Sequence, residues 1–199
     1  MEILFDAGNL RIVRLVVGPL DNNAYIVSSA GSAVVVDAAA EPDRILAAAE
    51  GSEVRAVLTT HGHHDHIGAV EAVRGVLGVP FRLHPADAAI AGLEPDEPLR
   101  NGEEVAVGEH SLTVIHTPGH TPGSVSFLLE GHLFTGDTLF PGGPGATRFP
   151  YSSFDSIMES LTGSLFVHRD ETVVYPGHGA TTTLQAERPH LEEWRARGW

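Results

Sequence analysis

The 199 residues carry 26 acidic side chains against 12 basic ones, a formal charge of −14, with 42% hydrophobic residues and no cysteine. Such a balance speaks against nucleic acid and anionic membranes as partners, because both are gripped through Lys and Arg. Without cysteine there is no disulfide, thiolate nucleophile or thiolate metal site, and with every basic residue an Arg there is no Schiff-base or P-loop lysine.

The N-terminal "MEILFDAGNL" has no basic leader and no long apolar core, so no secretory signal is expected. No run approaches the roughly 18 apolar residues of a membrane span, and a cytoplasmic chain is the expectation. Short apolar runs predict strands over 11–17, 23–29, 32–37 and 54–60, with helical spacing over 41–50 and 67–78. A strand over 80–84 and a helix over 85–92 follow. Strands are then expected over 110–117, 123–130, 132–137 and 172–176, and helices over 152–163 and 184–198. A meander followed by alternating strands and helices, with no linker, indicates one layered α/β domain over residues 1–199 with mixed sheets. The most irregular stretch is "FPGGPGATRFPYSS", residues 140–153, and irregular loops beside a site are where substrate is often met.

Chemistry concentrates in "THGHHDHIG", residues 60–68, between a buried-looking strand and an apolar helix. His61 and His63 are two apart on an extended segment and can point the same way. Asp65 and His66 fall where the chain turns into the helix and can address a second position. His120 in "HTPGHTPGS", Asp137 in "FTGDTLF" and His178 in "YPGHGATTT" each end or follow an apolar strand beside glycine. One such histidine is commonplace, but four such segments are hard to assign to chance. If Asp137 bridges, one metal has His61, His63, His120 and Asp137, and a second has Asp65, His66, His178 and Asp137. A His and carboxylate set suits two divalent ions, zinc first, iron or manganese otherwise. Two such ions about 3.5–4 Å apart can clamp a bridging water as hydroxide near neutral pH and polarise a carbonyl. Asp65 and Asp137 are the candidate catalytic carboxylates. His64 has the wrong parity and should point away, while His116 should buttress the 117–123 loop. The remaining histidines (84, 110, 132, 168 and 190) suit surface or capping roles, and Trp194 and Trp199 suit packing.

Taken together, "THGHHDHIG", "GHTPGS", "GDTLF" and "PGHG" resemble the metallo-β-lactamase superfamily over nearly the whole chain. The resemblance implies a four-layer αββα sandwich with two mixed β-sheets. "GDTLF" and "PGHGATTT" look most like short glyoxalase II-type proteins, similar to hydroxyacylglutathione hydrolases. This implies hydrolysis of a small acyl thioester, the seven ligands above, and Asp37 as an acceptor that orients a ligand histidine. Arg148 and Tyr151 lie on the loop where related thioesterases meet the thiol carrier. Arg148, as its only basic group, can fork onto a substrate carboxylate.

Two departures bear on the substrate. A short form without the helical domain of the longer glyoxalase II enzymes is the expectation, and Gly179 and Ala180 follow the last histidine where those enzymes carry a tyrosine nearby. Glutathione is therefore not the expected thiol. A persulfide dioxygenase-like oxidoreductase, with one iron on two His and one Asp, ranks second. It shares the histidine loop, but "GATRFP" departs from the run those proteins carry. Lactone hydrolysis fits the same ligands. β-Lactam hydrolysis ranks lower, since zinc β-lactamases tend to use Cys where Asp137 stands. A structural metal module would close at four ligands. A monomer and a homodimer fit the sequence equally.

Overall fold

Residues Ser32–Val36 read SAVVV and every one is buried, as in a strand covered on both faces. In the computed structural model, which describes residues 1–198, this segment is β4 of a seven-stranded sheet. The others are β1 (Glu2–Ala7), β2 (Leu10–Val17), β3 (Asn22–Ser29), β5 (Glu53–Leu58), β6 (Phe81–Leu83) and β7 (Glu97–Pro98), in sequential order. From β1 to β4 the pairing is an antiparallel meander. From β4 to β7 it is parallel, because α1 (Pro42–Ala49), then α2 (His64–Ile67) and α3 (Val70–Leu77), then α4 (Ala88–Ala91) fall between successive strands.

The second sheet contains β8 (Glu104–Val107), β9 (His110–His116), β10 (Val125–Leu129), β11 (His132–Gly136), β14 (Val173–Pro176) and β15 (Thr182–Thr183). Its order is β15-β14-β11-β10-β9-β8, and only β11 and β14 run parallel. A small hairpin of β12 (Leu139–Phe140) and β13 (Gly143–Pro144) follows β11. The helices α5 (Phe154–Ser160), α6 (Leu184–Glu187) and α7 (Leu191–Arg197) belong to the second half.

Alternation along the strands sorts their side chains into three cores. Val13, Leu15, Ile26 and Val35 pack with Ile45, Val70 and Val73 of the first helices. Ile12, Val27, Val34 and Val36 meet Val114, Phe127, Phe134 and Tyr175 between the sheets. Leu133 and Val174 pack with Ile157, Leu161 and Trp194 of the last helices. Three cores separate four layers, and the architecture is the αββα sandwich.

Several elements differ from the sequence reading. β1 is an edge strand whose residues are exposed or half-buried, so it lacks the apolar alternation that marks a strand. β7, β8 and β15 are also additions, two of them only two residues long. The segment expected as one helix over 67–78 breaks after Ile67, where Gly68 passes so close to the Ala39 carbonyl that a Cβ would not fit. The last helix is interrupted by a 3-10 turn over Arg188–His190, because Pro189 has no N–H to continue it. His132 is in the interior, 2.8 Å from the Tyr175 hydroxyl, and has no surface or capping role. Trp194 is buried, as packing requires, and Trp199 lies outside the described residues. No helix among the described residues is long and apolar enough to cross a membrane. The parallel pairs β4/β5 and β11/β14 matter most, because the chain leaves their C-terminal ends directly into the candidate ligand segments.

Candidate metal centre

Asp37 follows β4 with φ +58°, a left-handed conformation that non-glycine residues seldom adopt and that often marks a functional site. Its buried carboxylate accepts from the Thr60 N–H (2.7 Å) and the Thr60 hydroxyl (2.8 Å), and lies 2.9 Å from His66 Nδ1. Thr60 Oγ1 is in turn 3.1 Å from His61 Nδ1. One carboxylate therefore orients two imidazoles, His66 directly and His61 through a hydroxyl. On the other segments, His120 Nδ1 donates to the Ala146 carbonyl (2.7 Å) and His178 Nδ1 to the Leu20 carbonyl (3.0 Å). Carbonyls only accept, so these rings hold their proton on Nδ1 and turn an Nε2 lone pair inward.

The inward atoms converge. His63 Nδ1 lies 3.0 Å from His61 Nε2 and 2.9 Å from His120 Nε2. His178 Nε2 lies 3.3 Å from both His66 Nε2 and Asp65 Oδ2. Asp137 stands between the two sets, with Oδ1 3.4 Å from His66 Nε2. Its Oδ2 is 3.6 Å from His120 Nε2 and 3.7 Å from His178 Nε2. The donors fall into three overlapping groups, each with its ligand atoms within 4.8 Å of one another: His61, His63 and His120; His61, His66 and Asp137; Asp65, His66 and His178.

Lone pairs aimed at one another repel unless a cation or proton lies between them. Asp137 Oδ1 is also buried with no hydrogen bond. Ligands about 2.0–2.1 Å from a tetrahedral ion sit roughly 3.3 Å from each other, close to the spacing here. The donor set thus fits divalent cations, with Asp137 reaching both clusters.

Protonation follows from burial and charge. Burial, with the charges of His66 and His120 behind it, drives His61 well below its ordinary pKa. Burial and His120 push His63 down to about 4. Burial acts in the same sense at His66, but Asp137 and Asp37 overcome it and raise that ring well above its ordinary value. Asp65 is held low against burial by the His178 hydrogen bond and the His66 charge. Asp137 is held low, also against burial, chiefly by His66.

Sequence reasoning missed several supports. Asp87 is fully buried and accepts from the Gly62 N–H (2.7 Å), the Thr121 hydroxyl (2.6 Å) and the Gly123 N–H (2.6 Å). It ties the 61–66 loop to the 117–123 loop, yet in "PADAAIAG" it looks like an ordinary helix acid. Asn22 donates to Asp65 Oδ2 at 2.9 Å. Asparagine is depleted in strands, so the "NN" opening β3 was the available signal. Gly177 is required at the floor, because a Cβ there would overlap Asp137 Oδ1 and the His66 ring.

The rim is looser. The Tyr151 hydroxyl lies 2.8 Å from His63 Nε2, so this residue touches a candidate ligand as well as the mouth. Phe149 stacks on Tyr151 and its ring centre is 4.9 Å from that of His63. Arg148 is exposed and meets no hydrogen-bond or ion-pair partner among the described residues. His64 is exposed and belongs to none of the three groups. His116 bonds the Pro122 carbonyl at 2.9 Å, across the 117–123 loop, and stacks on His84.

Residues 17–178 match the family model described as the metallo-beta-lactamase superfamily. The chain belongs to the metallo-β-lactamase superfamily. Members of this superfamily typically bind divalent metal ions. A hydroxyacylglutathione hydrolase of Anaeromyxobacter dehalogenans (strain 2CP-C) is 42% identical over 166 residues, 79% of this chain and 61% of that protein. The solved structure of TTHA1623 in a di-iron-bound form superposes with a TM-score of 0.80 at 35% identity, covering 88% of this chain and 96% of the other. That of ETHE1 from Myxococcus xanthus gives 0.80 at 33% identity, covering 90% and 82%.

Proposed function

We propose that this metallo-β-lactamase-fold protein hydrolyses a small acyl thioester, with His61, His63, His120 and Asp137 holding one divalent ion and Asp65, His66, His178 and Asp137 a second. The supporting observation is the convergence of inward ring lone pairs on the buried, unbonded Asp137 oxygen. Similarity to a hydroxyacylglutathione hydrolase supports the substrate class, and a di-iron relative supports a pair of metals. When bound, the metals supply a water acidic enough to ionise near neutral pH and a Lewis acid for the carbonyl.

The chain's own groups orient and bind. Asp37, with Thr60, fixes the His66 and His61 rings, and the Ala146 and Leu20 carbonyls fix His120 and His178. Asp65 stays ionised and is steered by Asn22, so it can accept a hydrogen bond from the attacking water. Arg148 can fork onto a carboxylate of the thiol carrier, and the stacked Phe149 and Tyr151 supply an aromatic surface next to it in the chain. In the overall reaction the water oxygen bonds the acyl carbon and the C–S bond breaks. A carboxylate, a thiol and a proton result. The sulfur needs little help to leave, because thiols are acidic compared with alcohols.

A second reading is a mononuclear iron oxygenase of the persulfide dioxygenase type. The group of His61, His66 and Asp137 has the two-histidine, one-carboxylate composition of such iron sites, and the likeness to ETHE1 fits it. Elemental analysis of protein purified without added metal separates the two. About two ions per chain, with turnover on a thioester panel, supports hydrolysis. One iron per chain with oxygen consumption overturns it.

A further inference from the structure

Beside the Asp65 end of the site lies a cleft of about 420 Å³ that the steps above leave unused. Pro19 and Leu20, from the turn between β2 and β3, form one wall. Ala39 and Ala40, after β4, line the cleft as well, together with His64 and with Asp65, which it shares with the ligand groups. The volume lies within the range of small-molecule pockets. Leu20 is 60% exposed beside a polar site, although its own carbonyl holds His178 Nδ1. A leucine so placed leaves apolar surface in water until something apolar covers it.

The charges around the cleft select the occupant. Glu41 lines it and accepts from the Gly18 N–H (2.7 Å) and from Arg44 (2.6 Å), while Asp65 faces it from the metal side. Among the described residues the cleft lining holds no Arg or Lys, and the neighbouring Arg44 is committed to Glu41, so nothing in it would hold an anionic thiol carrier. The Phe149–Tyr151 stack, which Arg148 precedes in the chain, lies instead by the other ligand group, where Tyr151 touches His63. The two ends of the site thus differ in chemistry.

We propose that this cleft is the subsite for an uncharged aliphatic acyl chain, which deepens the thioester-hydrolase reading and rests on it. The acyl carbon then lies over the donors around Asp137, and the chain runs between Leu20 and Ala40.

The test uses the metal-loaded protein and N-acetylcysteamine thioesters carrying acetyl, butanoyl, hexanoyl and lactoyl groups. The expected result is a kcat/KM that rises about fourfold per methylene until the cleft is filled, with lactoyl below butanoyl. Leu20→Ala should flatten that rise. In parallel, S-alkyl thioethers of N-acetylcysteamine, which cannot be hydrolysed, are titrated calorimetrically into wild type and Leu20→Ala. Their affinity should increase with chain length in the wild type and less so in the variant. Turnover and thioether affinity both independent of chain length would overturn the subsite while leaving the hydrolase reading intact. No turnover of any thioester would overturn the hydrolase reading, and the thioether series then decides the cleft alone.

Discussion

The floor of the site and its rim are held by very different amounts of structure. On the floor, Asp37, His61, His66, Asp87 and His120 are all buried, and each is fixed by a hydrogen bond to a carboxylate, hydroxyl, backbone N–H or carbonyl. On the rim, Arg148 and Leu20 are exposed, and the Arg148 side chain has no hydrogen-bond or ion-pair partner among the described residues. Rigid placement is what a metal needs, since misplaced ligands lose affinity steeply. Adaptable placement is what a substrate surface tolerates. The reaction class is therefore set by the floor and the substrate by the rim, and changes in the two places should have different signatures.

The largest effect is expected at the centre of the floor. Asp137→Ala removes the one carboxylate that reaches both clusters, and turnover should fall by more than about a hundredfold, the upper end of losses from altering groups around a metal. Metal content should drop below two per chain in the same preparation. Retained turnover would mean that the floor is not the catalytic machinery.

Asp87→Ala tests whether the floor's rigidity comes from outside the ligand set. It leaves the buried Gly62 and Gly123 N–H groups without an acceptor, at about 1–3 kcal/mol each before relaxation, while the Thr121 hydroxyl keeps Ser124 Oγ at 2.7 Å. Denaturant unfolding should show a loss of about 2 kcal/mol or more. A loss under about 1 kcal/mol would place the clamp elsewhere.

Removing the metals exposes the floor to titration. His63, held at about 4, refuses a proton that the unfolded chain accepts below 6.5, so stability of the metal-free protein falls as the pH drops from 6.5 towards 4. His66 behaves oppositely. It keeps a proton that the unfolded chain gives up above 6.5, so its contribution is lost as the pH rises through its own elevated pKa. Thermal melts of chelator-treated protein across the pH range should therefore peak near the ordinary histidine pKa. A profile that is flat through both windows would show that these rings are not perturbed as their surroundings require.

The smallest effect belongs to the rim. Arg148→Ala should raise KM for a thioester with an anionic carrier by about tenfold, leave kcat within about twofold, and spare neutral carriers. Equal losses on both carriers would move Arg148 from the substrate to the fold.

How much of this was legible beforehand varies with the kind of residue. The apolar strands 23–29 and 32–37 announce themselves because they are buried almost throughout, and 11–17 because most of its apolar residues are buried, whereas β1 is an edge strand and carries no such pattern. The seven candidate ligands stood out because histidine and aspartate beside glycine at strand ends are chemically conspicuous. Thr60, Asp87 and Asn22 did not, since a threonine, a helix acid and a strand asparagine are ordinary until their partners are known.

The sequence by itself determined a layered α/β plan with mixed sheets and the identity of the candidate ligands, because hydrophobic period and residue chemistry are local properties. The αββα arrangement was implied by the resemblance of its motifs to a family. Only the tertiary structure decided which imidazole rests on Asp37, that Asp87 binds the 61–66 and 117–123 loops into one body, and that Tyr151 touches His63 while the Leu20 carbonyl holds His178. Those facts depend on the parallel pairs β4/β5 and β11/β14 ending at one edge, and no window of neighbouring residues contains that information.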